Sequence, residues 1–294
     1  MRVVDVFTDA GVGSATVSAE GAGQATSDAS GAFNLQPATG GTFTVTIAAP
    51  GYVERRTRLA LPGTAAALTL IPSSFDLAAF DAMSRTHEGQ LVRWTTQPNL
   101  IIQRNLLDYA DDAGGFMVLN EAISDADLSC VEARAREAVS LISGSALSAG
   151  TSTTAAATAG TRVEGTAAGA ITVWAARNLG GSAGRGGISY RIPGLTVAAG
   201  VVFLEVAQPG NPNQASCAGN VNVLRHEIGH ALGYQHVTTR ASVMQPTNAP
   251  APTDFDRQAF TVFYKRAPGN SSPDTDVSTF RANAFGRLAR WVLP

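Results

Sequence analysis

Three of the chain's four histidines stand within the run RHEIGHALGYQH, residues 225–236, around one glutamate. His226 and His230 are four residues apart, a spacing that puts both imidazoles on one face of a helix, close enough to share an ion. Glu227, one position along, falls beside such an ion rather than on it. This arrangement suits hydrolysis: the metal lowers the pKa of a bound water from about 15.7 towards 7, while the carboxylate carries a proton to the leaving group.

A third ligand has to come from elsewhere. No glutamate follows Glu227, which removes a distal glutamate on a later helix and leaves His236. On an unbroken helix His236 would lie about 15 Å from His226, so the chain must turn between them. Gly233 supplies the turn, because glycine takes a left-handed conformation at a helix C-terminus without a Cβ penalty. Three imidazoles with an open fourth position describe a catalytic zinc site, whereas structural sites close all four positions and usually use thiolates.

The surrounding chain must hold this constellation, and its texture changes along its length. Residues 1–70 read as short strands between glycine-rich turns: VVDVF, SATVSA, GAFNLQ, TFTVTIAA and RRTRLAL. Period-two alternation in TFTVTI and TRLAL implies a small antiparallel β-sandwich. Residues 71–89 form a connector with a short helix expected at 77–84. From residue 90 a mixed α/β domain follows. LVRW and NLIIQRNL look like strand material, and residues 124–144 space Leu128, Val131, Ala135, Ala138, Val139 and Ile142 as an amphipathic helix between capping residues and a glycine. The low-complexity run 145–169 is expected to be a loop or surface excursion. ITVWAAR, GGISYRI and AAGVVFLEVA are strand candidates, Phe255–Tyr264 is a further apolar segment, and a polar tail ends FGRLARWVLP.

HEIGHALGYQH resembles the HExxHxxGxxH signature of the metzincin zinc endopeptidases, and ASVMQP, with Met244, is similar to their Met-turn. The interval from His236 to Met244 is short, like that of the matrixins. The resemblance spans residues 90–294 and is firmest over 184–264. It implies an α+β catalytic domain with a twisted, mostly parallel sheet, an antiparallel edge strand and two long helices. It also implies one catalytic zinc on His226, His230 and His236, Glu227 as general base and acid, and Met244 as an apolar floor. Asp256 would bond the Met-turn backbone. The strand holding Gly187, Ile188, Ser189 and Tyr190 would form the upper edge of the cleft and pair with an extended peptide, and Tyr234 would help wall the specificity pocket. QPTNAPAP, after Met244, carries no charge, so neutral or apolar side chains are expected there. Residues 1–70 resemble the carboxypeptidase regulatory-like, or transthyretin-like, accessory domains, through ATSDASGAFNL and GGTFTVTIAAPGY.

The sequence also departs in places from the families it resembles. Pro246 stands where astacin-like and serralysin-like members place a tyrosine ligand, and the matrixins' further structural histidines are missing, so a second zinc is not expected; scattered aspartates leave calcium open. His87 reads as a solvated linker residue, and Trp94, Trp174 and Trp291 as anchors of the core or of a domain interface. Cys130 and Cys217 do not form a cysteine switch. Oxidised, they would close one long loop worth roughly 3–5 kcal/mol and staple the amphipathic helix to the loop before the zinc helix; the alternative is two buried thiols.

With 45% apolar residues in 294, the chain can bury a core. Charged residues are 15% and the net charge is −2, so no basic field awaits a phosphate backbone and nucleic acid is not an expected partner. The longest apolar-rich run, 195–207, is too short to span a bilayer and carries Glu205. MRVVDVFTDAG shows no basic stretch followed by an apolar core. The expectation is therefore a secreted, cell-surface or periplasmic monomer, its signal sequence absent from this chain, acting on polypeptide substrates. A second reading stays beside it: a surface binding protein that uses the sandwich, with an auxiliary, autoprocessing or inactive protease domain.

Overall fold

A computed structural model describes residues 1–63, 67–85, 87–110, 115–163, 167–179, 181–205, 221–247, 250–276 and, for the backbone, 287–293. The chain divides into two compact units, Met1–Leu91 with Gln258–Ala284, and Val92–Arg257 with Phe285–Pro294.

In the first unit, β2 (Thr16–Ala19), β3 (Gly23–Thr26), β4 (Gly41–Ala48) and β5 (Arg55–Leu61) form an antiparallel sheet in the order β3-β2-β4-β5, while β1 (Arg2–Asp5) pairs in parallel with β6 (Ala67–Leu70). Alternation decides what is buried. In β5 every second residue from Arg55 to Leu61 points inward, and Val17, Val45, Ile47, Leu59 and Leu61 close over a common core. GAFNLQ is not a strand; its Ala32 makes only an isolated bridge to Arg2, and GQAT supplies β3 instead. The helix expected at 77–84 is α1 (Leu77–Ser84), capped by the Asp76 side chain accepting from Ala79 N–H.

Arg55 sits on the inward-facing register of β5 and is buried with partners. It donates to Thr69 O and Oγ1, each at 3.0 Å, and to Asp276 at 3.0 Å. Arg266, also buried, holds Asp274 through two bonds of 2.6 and 2.7 Å. Buried charges persist only when paired and hydrogen-bonded; the Arg55–Asp276 pair ties the 266–276 segment to β5, and Arg266 also donates to Thr69 Oγ1 on β6 at 2.6 Å.

The second unit is built on one mixed sheet. β7 (Asn99–Ala110) is followed by β8 (Gly115–Ala122), α2 (Asp125–Ile142), β9 (Ser152–Ala155), β10 (Ala170–Ala176), β11 (Gly184–Ile192), β12 (Thr196–Glu205), α3 (Val221–Leu232), α4 (Asp254–Tyr264) and β13 (Arg287–Leu293). The last turns of α4 belong to the first unit. Sheet order is β13-β11-β12-β10-β7-β8, with β9 beside the first part of β7. Pairs β7–β9, β7–β10 and β10–β12 are parallel, and β7–β8, β11–β12 and β11–β13 antiparallel. The core is thus parallel, as expected, but antiparallel strands flank it on both sides. β10 is buried along its whole length, which is why AITVWAA reads as a continuous apolar run rather than an alternating one.

The amphipathic helix is α2, with Ser124 as N-cap and Leu128, Ala135, Ala138, Val139 and Ile142 buried. It packs against α3, and α3 lies on β11 and β12. A second core of Leu107, Trp174, Val201 and Phe203 lies among β7, β10 and β12. One expectation is corrected here. The run 145–169 is not simply an excursion, because its β-branched STTA segment pairs with Leu100–Gln103 as β9; a polar strand was hidden by low-complexity composition. Trp94 is an anchor: its indole N–H donates to Ala231 O at 2.8 Å, holding α3 from within. The side chain of Trp291 and all of Cys217 lie outside the described residues.

Candidate metal centre

α3 carries His226 and His230 on successive turns, with Glu227 next to His226, all buried. The helix ends where Gly233 takes φ 113°. Its N–H and that of Tyr234 both bond back to Gly229 O, at 3.1 and 3.0 Å, and the reversal brings His236 back over the helix. The three Nε2 atoms then lie 3.0 Å (His226–His230), 3.1 Å (His230–His236) and 3.2 Å (His226–His236) apart. With zinc–nitrogen bonds of about 2.0–2.1 Å, a tetrahedral shell spaces its nitrogens by roughly 3.3 Å, so the triangle fits that ion.

Two of the rings are set by backbone carbonyls. His226 Nδ1 donates to Val243 O at 2.7 Å and His230 Nδ1 to Tyr234 O at 2.8 Å. A proton on Nδ1 leaves the Nε2 lone pair facing the cluster. Burial pushes the His226 imidazole down to about 4, drives His230 well below the usual histidine value and lowers His236. All three are neutral at pH 7, the form that binds metal.

Val243 belongs to the turn that carries Met244. Asp256, fully buried, accepts from Val243 N–H at 2.9 Å, Thr253 N–H at 2.7 Å, Thr253 Oγ1 and Ser242 Oγ. Met244 is fully buried, and its sulfur occupies the space a Cβ would need at Gly229. Gly229 therefore lets the turn approach the helix, a role that a spacing motif does not show.

Glu227 is buried, its Oε2 has no hydrogen-bond partner among the described residues, and burial, offset in part by Arg185, pushes its carboxyl up to about 8. It borders a cavity of about 460 Å³, also lined by His226, His236, Val223, Gln245 and Pro246. β11 passes against it. A Cβ at Gly184 would stand 2.6 Å from Glu227 Cγ, and one at Gly186 2.7 Å from His230 Cβ.

Residues 163–259 match the matrixin family model. The metzincin likeness read from the histidine spacing therefore holds, and the match supports a zinc metallopeptidase. No curated protein shows significant similarity to the chain. The matrixin-like segment contains the three histidines, Glu227, Gly233, Met244 and Asp256, so the match and the geometry coincide.

The remaining site candidates sit as follows. Tyr234 is fully buried and enters the centre through its backbone, and it is not among the described residues that line the cavity. Gly187, Ile188, Ser189 and Tyr190 lie on β11 between β12 and β13, with Ile188 and Tyr190 buried. Among the described residues the histidine triad is the one group of three or more His, Cys, Asp or Glu able to hold an ion, so calcium gains no support. No helix among the described residues is long and apolar enough to cross a membrane.

Proposed function

We propose that the chain is a zinc-dependent endopeptidase that hydrolyses internal bonds of extended polypeptides, secreted or held at the cell surface and working as a monomer. The observation that carries this reading is the Oε2 of buried Glu227, without a partner among the described residues, beside three converging imidazole nitrogens at the wall of an open cavity. A buried polar atom without a partner is costly, and a site that uses it compensates when substrate arrives.

His226, His230 and His236 would hold the ion, which supplies Lewis acidity and an acidified water when bound. Glu227 would take a proton from the attacking water as the oxygen bonds to the scissile carbonyl carbon. It would then deliver that proton to the amine nitrogen as the carbon–nitrogen bond breaks. A cation beside the carboxyl favours its ionised form against the effect of burial. Met244 would close the floor, and Asp256 would hold the Met244 turn in place. Val223, Gln245 and Pro246 offer no charge to the cavity, which supports acceptance of neutral or apolar side chains.

Residues 1–70 would act as an accessory sandwich and 90–294 as the catalytic domain. We also propose a Cys130–Cys217 bond, which would staple α2 to the segment before α3. The binding-protein reading has less behind it: Phe33 is in the sandwich core, with Phe43 and Tyr52 packed against it, so they do not form an open stacking platform.

The test is cleavage of a diverse quenched peptide library by the unsubstituted chain and by Glu227→Ala, with zinc content measured on both. One zinc per chain in each, with internal cleavage lost in the variant, is expected. Zinc in both without cleavage by either would overturn the endopeptidase reading.

A further inference from the structure

β11 meets β12 along one edge, and its other edge is paired as well. β13 runs antiparallel along it, from Arg287 opposite Ile192 to Leu293 opposite Gly186. That pairing ends beside the metal helix, since a Cβ at Gly186 would stand 2.5 Å from Glu227 O. Gly181 to Gly184, beyond the end of the pairing, line the cavity next to Glu227. β11 thus has a covered length, 186–192, continuous with residues 181–184 at the candidate catalytic glutamate, which have no partner on that edge among the described residues.

An extended polypeptide docks on a sheet edge by filling its row of N–H and C=O groups, and one edge accepts one strand. We propose that residues 287–293 are an intramolecular occupant of the peptide-binding edge of β11, a substrate-like strand that long polypeptide substrates must displace. The inference rests on the endopeptidase reading for the identity of the competitor, while the pairing itself is independent of it. A tethered strand competes at an effective concentration on the order of millimolar, so a free peptide at micromolar concentration is strongly disfavoured. Short substrates that reach only the cavity and Gly181–Gly184 escape this competition.

The experiment uses the full chain carrying Ala289→Pro and Arg290→Pro. Consecutive strand residues present their amides to opposite edges, so one of the two prolines removes an N–H that faces β11. In the zinc-loaded Glu227→Ala background, the probe is a fluorescein-labelled RLARWVL peptide read by anisotropy. At least tenfold tighter binding to the double-proline chain than to its parent is expected. With Glu227 intact, KM for a quenched decapeptide should fall at least tenfold with kcat little changed, and KM for a quenched tetrapeptide should stay within twofold. Equal probe affinity in the two chains would overturn the proposal, leaving β13 as a sheet-closing strand.

Should the prolines unfold the protein, hydrogen exchange on the Glu227→Ala chain decides. Saturating decapeptide should strip protection from the amides of 287–293, and retained protection with peptide bound would overturn the proposal. Neither binding readout needs turnover. If no peptide is cut but the labelled strand still binds more tightly to the proline variant, the endopeptidase reading fails and the edge competition stands.

Discussion

Asp256 reaches His226 through a single residue: Val243 donates its N–H to Asp256 Oδ2 at 2.9 Å and accepts from His226 Nδ1 at 2.7 Å. A carboxylate on α4 thus orients an imidazole on α3 by way of the Met244 turn. Removing a partner that orients a metal ligand typically costs 10–100-fold in affinity or activity. Asp256→Ala should therefore weaken zinc binding by about that factor, read by competition against a chromophoric chelator. An unchanged affinity would show that the Val243 carbonyl needs no support from Asp256.

Gly229 and Met244 make a test whose sign is informative. Glycine to alanine inside a helix normally stabilises by about 1 kcal/mol. At residue 229 the new methyl meets the buried Met244 sulfur, and overpacking costs roughly 1–3 kcal/mol. Gly229→Ala should therefore lower the unfolding free energy, whereas the same change made in a Met244→Ala background should be neutral or stabilising. Additive effects in the double-mutant cycle would refute the contact.

Two glycines of β11 should separate stability from turnover. At Gly186 a side chain meets Glu227 O and His230 Cβ, neither of which can swing away, while at Gly184 it meets the Glu227 side chain itself. Gly186→Ala should lower the melting temperature by several degrees, about what 1–3 kcal/mol of overpacking does. Gly184→Ala should leave melting nearly unchanged and cut kcat by tenfold or more by displacing the carboxylate. Equal kcat in Gly184→Ala and its parent would remove Glu227 from the chemistry or show that its side chain relaxes freely.

Acid should loosen the buried ionic cluster of the first unit. Burial alone would raise the Asp276 carboxyl, but Arg55 and bonds from Thr57, Asn270 and Arg55 outweigh it and hold it below the usual aspartate value. A depressed folded-state pKa gives stability that is present above the unfolded value of about 3.9 and lost as pH falls through the folded value. Melting of the unsubstituted chain should consequently drop more between pH 6 and pH 3 than melting of Asp276→Asn. Parallel pH profiles would exclude this linkage.

Zinc should stabilise by mass action, because the triad is assembled only in the folded chain. At a free concentration one hundred times Kd the gain is about 2.7 kcal/mol, and the second unit should melt correspondingly higher with zinc than after chelation. His230→Ala should abolish that difference, and a shift surviving in the variant would place the ion elsewhere.

The convergence of the three histidines was legible in the sequence. The spacing of His226, Glu227, His230, Gly233 and His236 acts over about two and a half helical turns and one glycine reversal, so local geometry decides it. α1 and α2 were legible for the same reason, since caps and a 3.6-residue apolar repeat are written within each helix. Strand partners are not local. STTA looked like low-complexity loop, and RLARWVL looked like tail, because neither carries an alternation strong enough to announce a strand; each pairs only where β7 or β11 presents an open edge. The parallel partnership of β1 and β6, the burial of Arg55 against residues far along the chain, the space that Gly229 leaves for Met244, and the occupied edge of β11 were decided by the tertiary structure. Each depends on backbone or side-chain atoms brought close by folding, and sequence spacing does not encode such distances.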